Sequence, residues 1–187
     1  VNSYKPNDSD SKSADSPFTQ LLRKIDAVPG VERIRFYTVH PKDMGDDVVA
    51  LYGSLRSMVP HIQLPLQSVC DTVLKRMNRR YVTGQYRELV EKLRKQLPGI
   101  SITTDIIVGF CGETEEEFET TCAFVKDLQI DSAYISKYSV RKGTLADRTM
   151  KDDIPLTVKK ERERAITEIF KQNSRAYNQR FAGKTVQ

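Results

Sequence analysis

Cysteine is scarce in this sequence, and its spacing excludes more than its number does. Cys70, Cys111 and Cys122 stand apart, with no C-x-x-C pair among them, so the chain's own spacing matches neither a zinc site nor an iron–sulfur cluster. An odd thiol count fits a reducing compartment, a bacterial cytoplasm or a mitochondrial matrix. Long apolar runs are missing as well. Hydrophobic residues make up 39% of the 187 positions, but they are nowhere gathered into a stretch that would span a bilayer or act as a signal peptide, and no membrane association is expected. Most of the chain also lacks an excess of charge. Between positions 155 and 187, eight Lys or Arg face three Glu, which accounts for the whole net charge of +5. A polyanion-binding surface is therefore expected at the C-terminal end, unless those charges only solvate a helix face through i,i+4 pairs.

With 187 residues the chain is long enough to bury a real core, and one domain is the default. Its centre is the stretch 101–118. An apolar strand at 102–108 runs into a turn bracketed by Gly109 and Gly112, then into a helix. Thr114 and Glu117 form a capping-box pattern, and Glu115, Glu116 and Glu117 suit the positive end of the helix dipole. The two glycines either let the backbone approach a ligand or simply close a tight turn. Around this centre, helices alternate with strands. Ser16 caps a helix bearing Phe18, Leu21, Leu22, Ile25 and Val28, followed by a strand at 34–39. A helix at 46–57 precedes a strand at 61–66. A short helix at 71–77 and a longer one at 83–96 precede the 102–108 strand. The capped helix, with Cys122 on its apolar face, leads to a strand at 132–138.

Four repeats at roughly thirty-residue spacing predict an α/β fold of parallel βα units with right-handed crossovers. In such folds chemistry gathers at the carboxyl ends of the strands. Here those ends carry His40 and Lys42, Gln67 and Ser68, the turn from Gly109 to Glu113, and Ser139 with Arg141.

Six pieces in order then resemble one family: Asn2-Ser3-Tyr4; His40-Pro41-Lys42-Asp43; the 61–68 stretch HIQLPLQS; the 73–81 stretch VLKRMNRRY; the 104–110 stretch TDIIVGF with Gly112-Glu113-Thr114; and Tyr138-Ser139 with Arg141 and Gly143-Thr144. Together they resemble the radical S-adenosylmethionine methylthiotransferases, and most closely those that make 2-methylthioadenosine in tRNA. The resemblance implies the last four βα units of a six-stranded partial (β/α) barrel over 1–172. It also implies the start of a TRAM-like β-type RNA-binding domain over 173–187, with a strand beginning near 181. S-adenosylmethionine and 4Fe-4S clusters are the implied cofactors, the anticodon stem-loop of tRNA the partner, and a monomer the full-length form.

Carried over by position, the cofactor-binding candidates are Asn2, His40, Gln67, Ser68, Asp105, Gly109, Gly112, Glu113 and Arg141, and the RNA-binding ones are Lys171, Arg175, Arg180 and Lys184. Several have plainer alternatives: Ser68 as a helix cap, Glu113 as a partner of the helix dipole, His40 as a loop fastener, and Arg141 as a structural mate of Asp105. The sequence departs from the family at one decisive point, because the C-x-x-x-C-x-x-C motif is absent, so no residue here is expected to ligate a cluster. Cys111 stands where proline is frequent and reads as lineage rather than as a metal ligand. The chain is accordingly expected to be a fragment, inactive alone. The alternatives are the sister activity on threonylcarbamoyladenosine and a non-catalytic RNA-binding or interaction protein.

Overall fold

The computed structural model describes residues 4, 14–37 and 39–185, and the chain divides into two compact units: 1–65 with 84–102, and 66–83 with 103–187.

The first unit opens with α1 (Pro17–Asp26). The Ser16 hydroxyl accepts the Thr19 N–H, and Pro17 sets the first helical φ, so the start is fixed locally. Phe18 and Leu22 are buried, and Phe18 meets Phe36 edge-on at 5.2 Å. Val28 does not share that face: the helix ends at Asp26 and Val28 is exposed. The strand expected at 34–39 reduces to one parallel bridge, Ile34 to Met58. Ile34 exchanges bonds with Ser57 and Val59, but the next N–H on that edge, His61, donates to the Val59 carbonyl at 2.7 Å and the ladder goes no further. The helix expected at 46–57 is α2 (Asp46–Val49). Beyond it the Leu51 and Tyr52 amides bond three residues back, and Gly53 at φ +82 turns the chain away. Likewise β1 (His61–Gln63) stops short of the expected Leu66, whose N–H donates to the Thr104 hydroxyl at 3.0 Å, and backbone pairing resumes only at Gln67.

Two further helices match their expected bounds. Helix α3 (Asp71–Arg76) falls in the second unit, and α4 (Thr83–Gln96) buries Tyr86, Leu89, Val90 and Leu93 and is closed by Gly99 at φ +88.

Strand β2 (Ser101–Val108) is central in the order β1-β2-β3, β3 being Ser132–Lys137. In the second unit β2 and β3 run parallel in the register Asp105 to Tyr134 and Ile107 to Ser136, and Gln67 bridges to Ile106. Ile106 and Val108 point into the core, whereas Thr103, Asp105 and Ile107 are half-exposed and Ser132, Tyr134 and Ser136 are exposed. Parallel sheets usually bury both faces; here one face stays open.

The other face is covered by α5 (Glu115–Asp127) and α7 (Leu156–Gln179), with α6 (Leu145–Thr149) short and exposed between β3 and α7. The Thr114 capping box is complete in both directions, so Thr114→Ala should lower stability by about 1 kcal/mol in a denaturant titration. Cys122 is only half-buried, which corrects the expected core position. Thr121 points inward instead, its hydroxyl accepting the Val69 N–H. Residues 173–179 continue α7, with Asn173 donating to the Val125 and Ile130 carbonyls. Residues 181–183 form a turn in place of the expected strand. Among the described residues no helix is long and apolar enough to cross a membrane.

Candidate functional site

The carboxyl end of β2 is held by a buried ionic lattice. Gly109 at φ +70 and Gly112 at φ +69 adopt the left-handed conformation that lets the strand turn sharply into α5. The Gly109 N–H donates to Glu113 Oε2 at 2.6 Å, and Arg162 Nη1 donates to the same oxygen at 2.8 Å and to the Glu113 carbonyl at 3.0 Å. Arg162 Nη2 reaches Glu115 at 2.9 Å. Both partners of the inner pair are almost fully enclosed, the Arg162 side chain 6% and that of Glu113 2% exposed. Burial pushes the Glu113 carboxyl above the ordinary glutamate value, opposed by the Gly109 N–H and the Arg162 charge. Glu113 is therefore neither a ligand on an open rim nor a simple companion of the helix dipole.

Lys159 forms the second part of the lattice. Its Nζ donates to Asp152 at 2.5 Å and to the Tyr138 carbonyl at 3.1 Å, and its stem runs beneath Gly109. A Cβ on Gly109 would stand 2.4 Å from Lys159 Cγ. Outside the turn, the Gly112 N–H donates to Asp153 at 2.8 Å and its carbonyl accepts from Arg76 at 3.2 Å.

Arg76 also grips Glu117 at 2.6 Å. Burial alone would raise the Glu117 carboxyl, but hydrogen bonds from Arg76, Thr72 and the Thr114 N–H outweigh it and hold the group at about 2. A depressed carboxylate contributes stability that is present above its unfolded value, 4.5, and is lost as pH falls toward about 2. Glu117→Gln should flatten that limb of an acid-unfolding curve and leave the slope above pH 5 unchanged.

Against this lattice lies a cleft of about 740 Å³, whose walls include Gln67, Arg79, Asp105, Phe110, Tyr134 and Arg141. Gln67 itself has φ +67; its N–H donates to the Asp105 carbonyl and its own carbonyl accepts from Ile107. That conformation is uncommon for a residue with a side chain, and it is paid for by the two bridging bonds. Phe110 packs edge-on against Tyr138 at 4.8 Å, closing the wall beside the glycine turn.

The sequence candidates separate as follows. Gln67, Asp105 and Arg141 share the cleft. Gly109, Gly112 and Glu113 make the turn beside it. Ser68 is buried, and its hydroxyl accepts the Cys70 N–H at 3.4 Å, a local role. His40 belongs to the first unit, where its carbonyl accepts from Asp43 at the head of a short 3₁₀ turn, Pro41–Asp43. Asn2 lies outside the described residues. Lys171, Arg175, Arg180 and Lys184 are all exposed; Lys171 pairs with Glu168, and Arg180 stacks on Tyr177 at 4.0 Å. The basic tail is not uniformly a surface, because Lys159 and Arg162 are buried. Those two hold the turn beside the cleft, a placement that sequence reading missed. Their signal was the spacing Lys159, Arg162, Ile166, Phe170, which is the buried stripe of α7.

Residues 10–125 match the Radical SAM superfamily. A tRNA-2-methylthio-N(6)-dimethylallyladenosine synthase of Caldicellulosiruptor saccharolyticus is 46% identical over 168 residues, 90% of this chain and 36% of that protein. Proteins of the same name from Acetivibrio thermocellus and Opitutus terrae are 42% and 43% identical, over 100% and 95% of this chain and 38% and 37% of theirs. The chain thus spans a little over a third of the length of these relatives. Among solved structures, coproporphyrinogen III oxidase from Escherichia coli, described as a radical SAM enzyme, superposes with a TM-score of 0.58 at 22% identity, over 87% of this chain and 36% of that one. That likeness bears on the fold.

Proposed function

Because the chain belongs to the radical SAM superfamily, we propose that it serves a tRNA methylthiotransferase acting at position 2 of N6-isopentenyladenosine beside the anticodon. The observation that carries this reading is the cleft on the open face of the parallel strands, where Gln67, Asp105 and Arg141 converge beside a glycine turn, in a chain whose relatives bear that enzyme name.

A 4Fe-4S cluster does not fit these residues. Among those described, no three His, Cys, Asp or Glu are grouped to hold a metal, and Cys111 packs against Val73 and Phe110 in an apolar cluster. S-adenosylmethionine does fit the donor set and, when bound, would supply a methyl group. The Arg141 fork suits its carboxylate and the Gln67 amide its ribose hydroxyls. This chain's share is to bind, orient and exclude water. The exposed cations Lys171, Arg175, Arg180 and Lys184 would meet the RNA backbone.

The test is a comparison of tRNA nucleosides from cells with and without the gene. Loss of the 2-methylthio-isopentenyl nucleoside, with the isopentenyl precursor accumulating, is the expected result. Loss of the methylthio-threonylcarbamoyl nucleoside instead would transfer the chain to the sister activity, and no change in either would sink the enzyme reading.

A further inference from the structure

The cleft carries two cations that its own structure leaves unanswered. Of the basic residues on its walls, Arg76 is paired with Glu117 and Lys137 with Glu163. The side chains of Arg79 and Arg141 have no hydrogen bond or ion pair among the described residues, and the Nε of Arg79 is shut away from solvent without an acceptor. Asp105 is the one carboxylate on the walls, and it is engaged elsewhere. A guanidinium on a cleft wall with no acceptor of its own among the described residues is placed to take an anion that enters the cleft.

Arg141 suffices for the carboxylate of the cofactor, so Arg79 answers to a second anion. Tyr134 indicates its kind. This residue is 75% exposed on the open face of β3, on the wall of the same cleft, and an uncovered ring face is the surface on which RNA-binding proteins stack an unpaired base. Next to Arg79, Asn78 is held at φ +55 and adds an amide to the same wall.

We propose that Arg79 is a phosphate contact for the RNA substrate, holding a phosphodiester that flanks the adenosine entering the cleft while Tyr134 offers its ring to a base. The assignment rests on the tRNA reading above. A planar fork favours phosphate bidentately, where lysine would act only as a point charge.

Binding of an anticodon stem-loop RNA carrying N6-isopentenyladenosine, followed by fluorescence anisotropy at several salt concentrations, tests this on the full chain. Arg79→Ala should weaken binding about tenfold and reduce the steepness of its salt dependence by about one charge. Arg79→Lys should keep the salt slope but not the affinity. Calorimetry with S-adenosylmethionine should show no difference between the variants and the parent chain. If Arg79→Ala binds RNA as tightly and as steeply as the parent, the assignment fails while the tRNA reading stands. If it loses S-adenosylmethionine instead, the arginine belongs to the cofactor and the assignment again fails. If the parent chain binds no RNA, both readings fall. Should Arg79→Ala not fold, the same comparison with Arg79→Gln decides.

Discussion

Arg162→Ala is expected to lower the free energy of unfolding by about 3–5 kcal/mol, because it strips the cation from a carboxylate that stays buried. The Glu113 side chain is only 2% exposed and cannot turn to water without breaking the Gly109 hydrogen bond and opening the turn. The loss should depend on pH in a stated direction. A carboxyl whose folded value lies above its unfolded one destabilises the fold while ionised, and this is relieved as pH falls. Removing Arg162 takes away one of the two influences that oppose burial, so the Glu113 carboxyl should rise further. The deficit of the variant measured at pH 8 should therefore shrink toward pH 5. Urea titrations at both values would show it; an equal deficit at both would mean that packing of the arginine stem, not the buried charge, sets the cost. Arg162→Ala with Glu113→Gln should recover part of the loss, since the remaining group is then neutral.

The second large effect is expected at Gly109. An alanine there meets two penalties: a left-handed φ of +70, and a Cβ 2.4 Å from the stem of Lys159. Lys159 cannot swing aside cheaply. Its side chain is 4% exposed and tied to Asp152 and to the Tyr138 carbonyl. Together these should cost about 2–4 kcal/mol. Gly112 supplies the control. It has nearly the same φ, +69, with nothing within 4 Å of its would-be Cβ, so Gly112→Ala should cost only the backbone share, about 1 kcal/mol. If the two alanines destabilise equally in thermal melts, the contact with Lys159 is irrelevant. If Gly109→Ala is the worse, adding Lys159→Ala should cost less than the sum of the separate changes.

These expectations also mark the boundary of what the sequence disclosed. Local signals were legible: Ser16, the Thr114 and Glu117 capping box and the Gly99 stop each act within a few residues, and their helices begin or end as expected. The apolar run of β2 and its glycine turn were equally plain. Shortfalls arose where a neighbour in space decides. The His61 and Leu66 amides turn to other acceptors and cut ladders that the apolar pattern alone extends, and α2 ends at Val49 before its apolar stripe is used up. Thr121 displaces Cys122 from the core because a backbone N–H at Val69 needs its hydroxyl. Gln67, Asp105 and Arg141 line one cleft. Lys159 and Arg162 did not stand out, because a cation in a basic segment reads as solvent-facing until its buried carboxylate partner is known. Arg79 was hidden for the opposite reason, since its side chain has no partner among the described residues to betray it.

The pairing of Glu113 with Arg162 spans 49 residues of chain. At ribosomal speeds of about 5–20 residues per second, roughly 2–10 s separate the synthesis of the turn from that of the arginine that completes it. During that interval the nascent glycine turn holds a carboxylate with no cation to meet it, so its final shape is deferred until α7 has emerged. A ribosome that stalls before residue 162 would leave an unfinished turn for quality-control proteases, however well the preceding strand and capped helix had already formed.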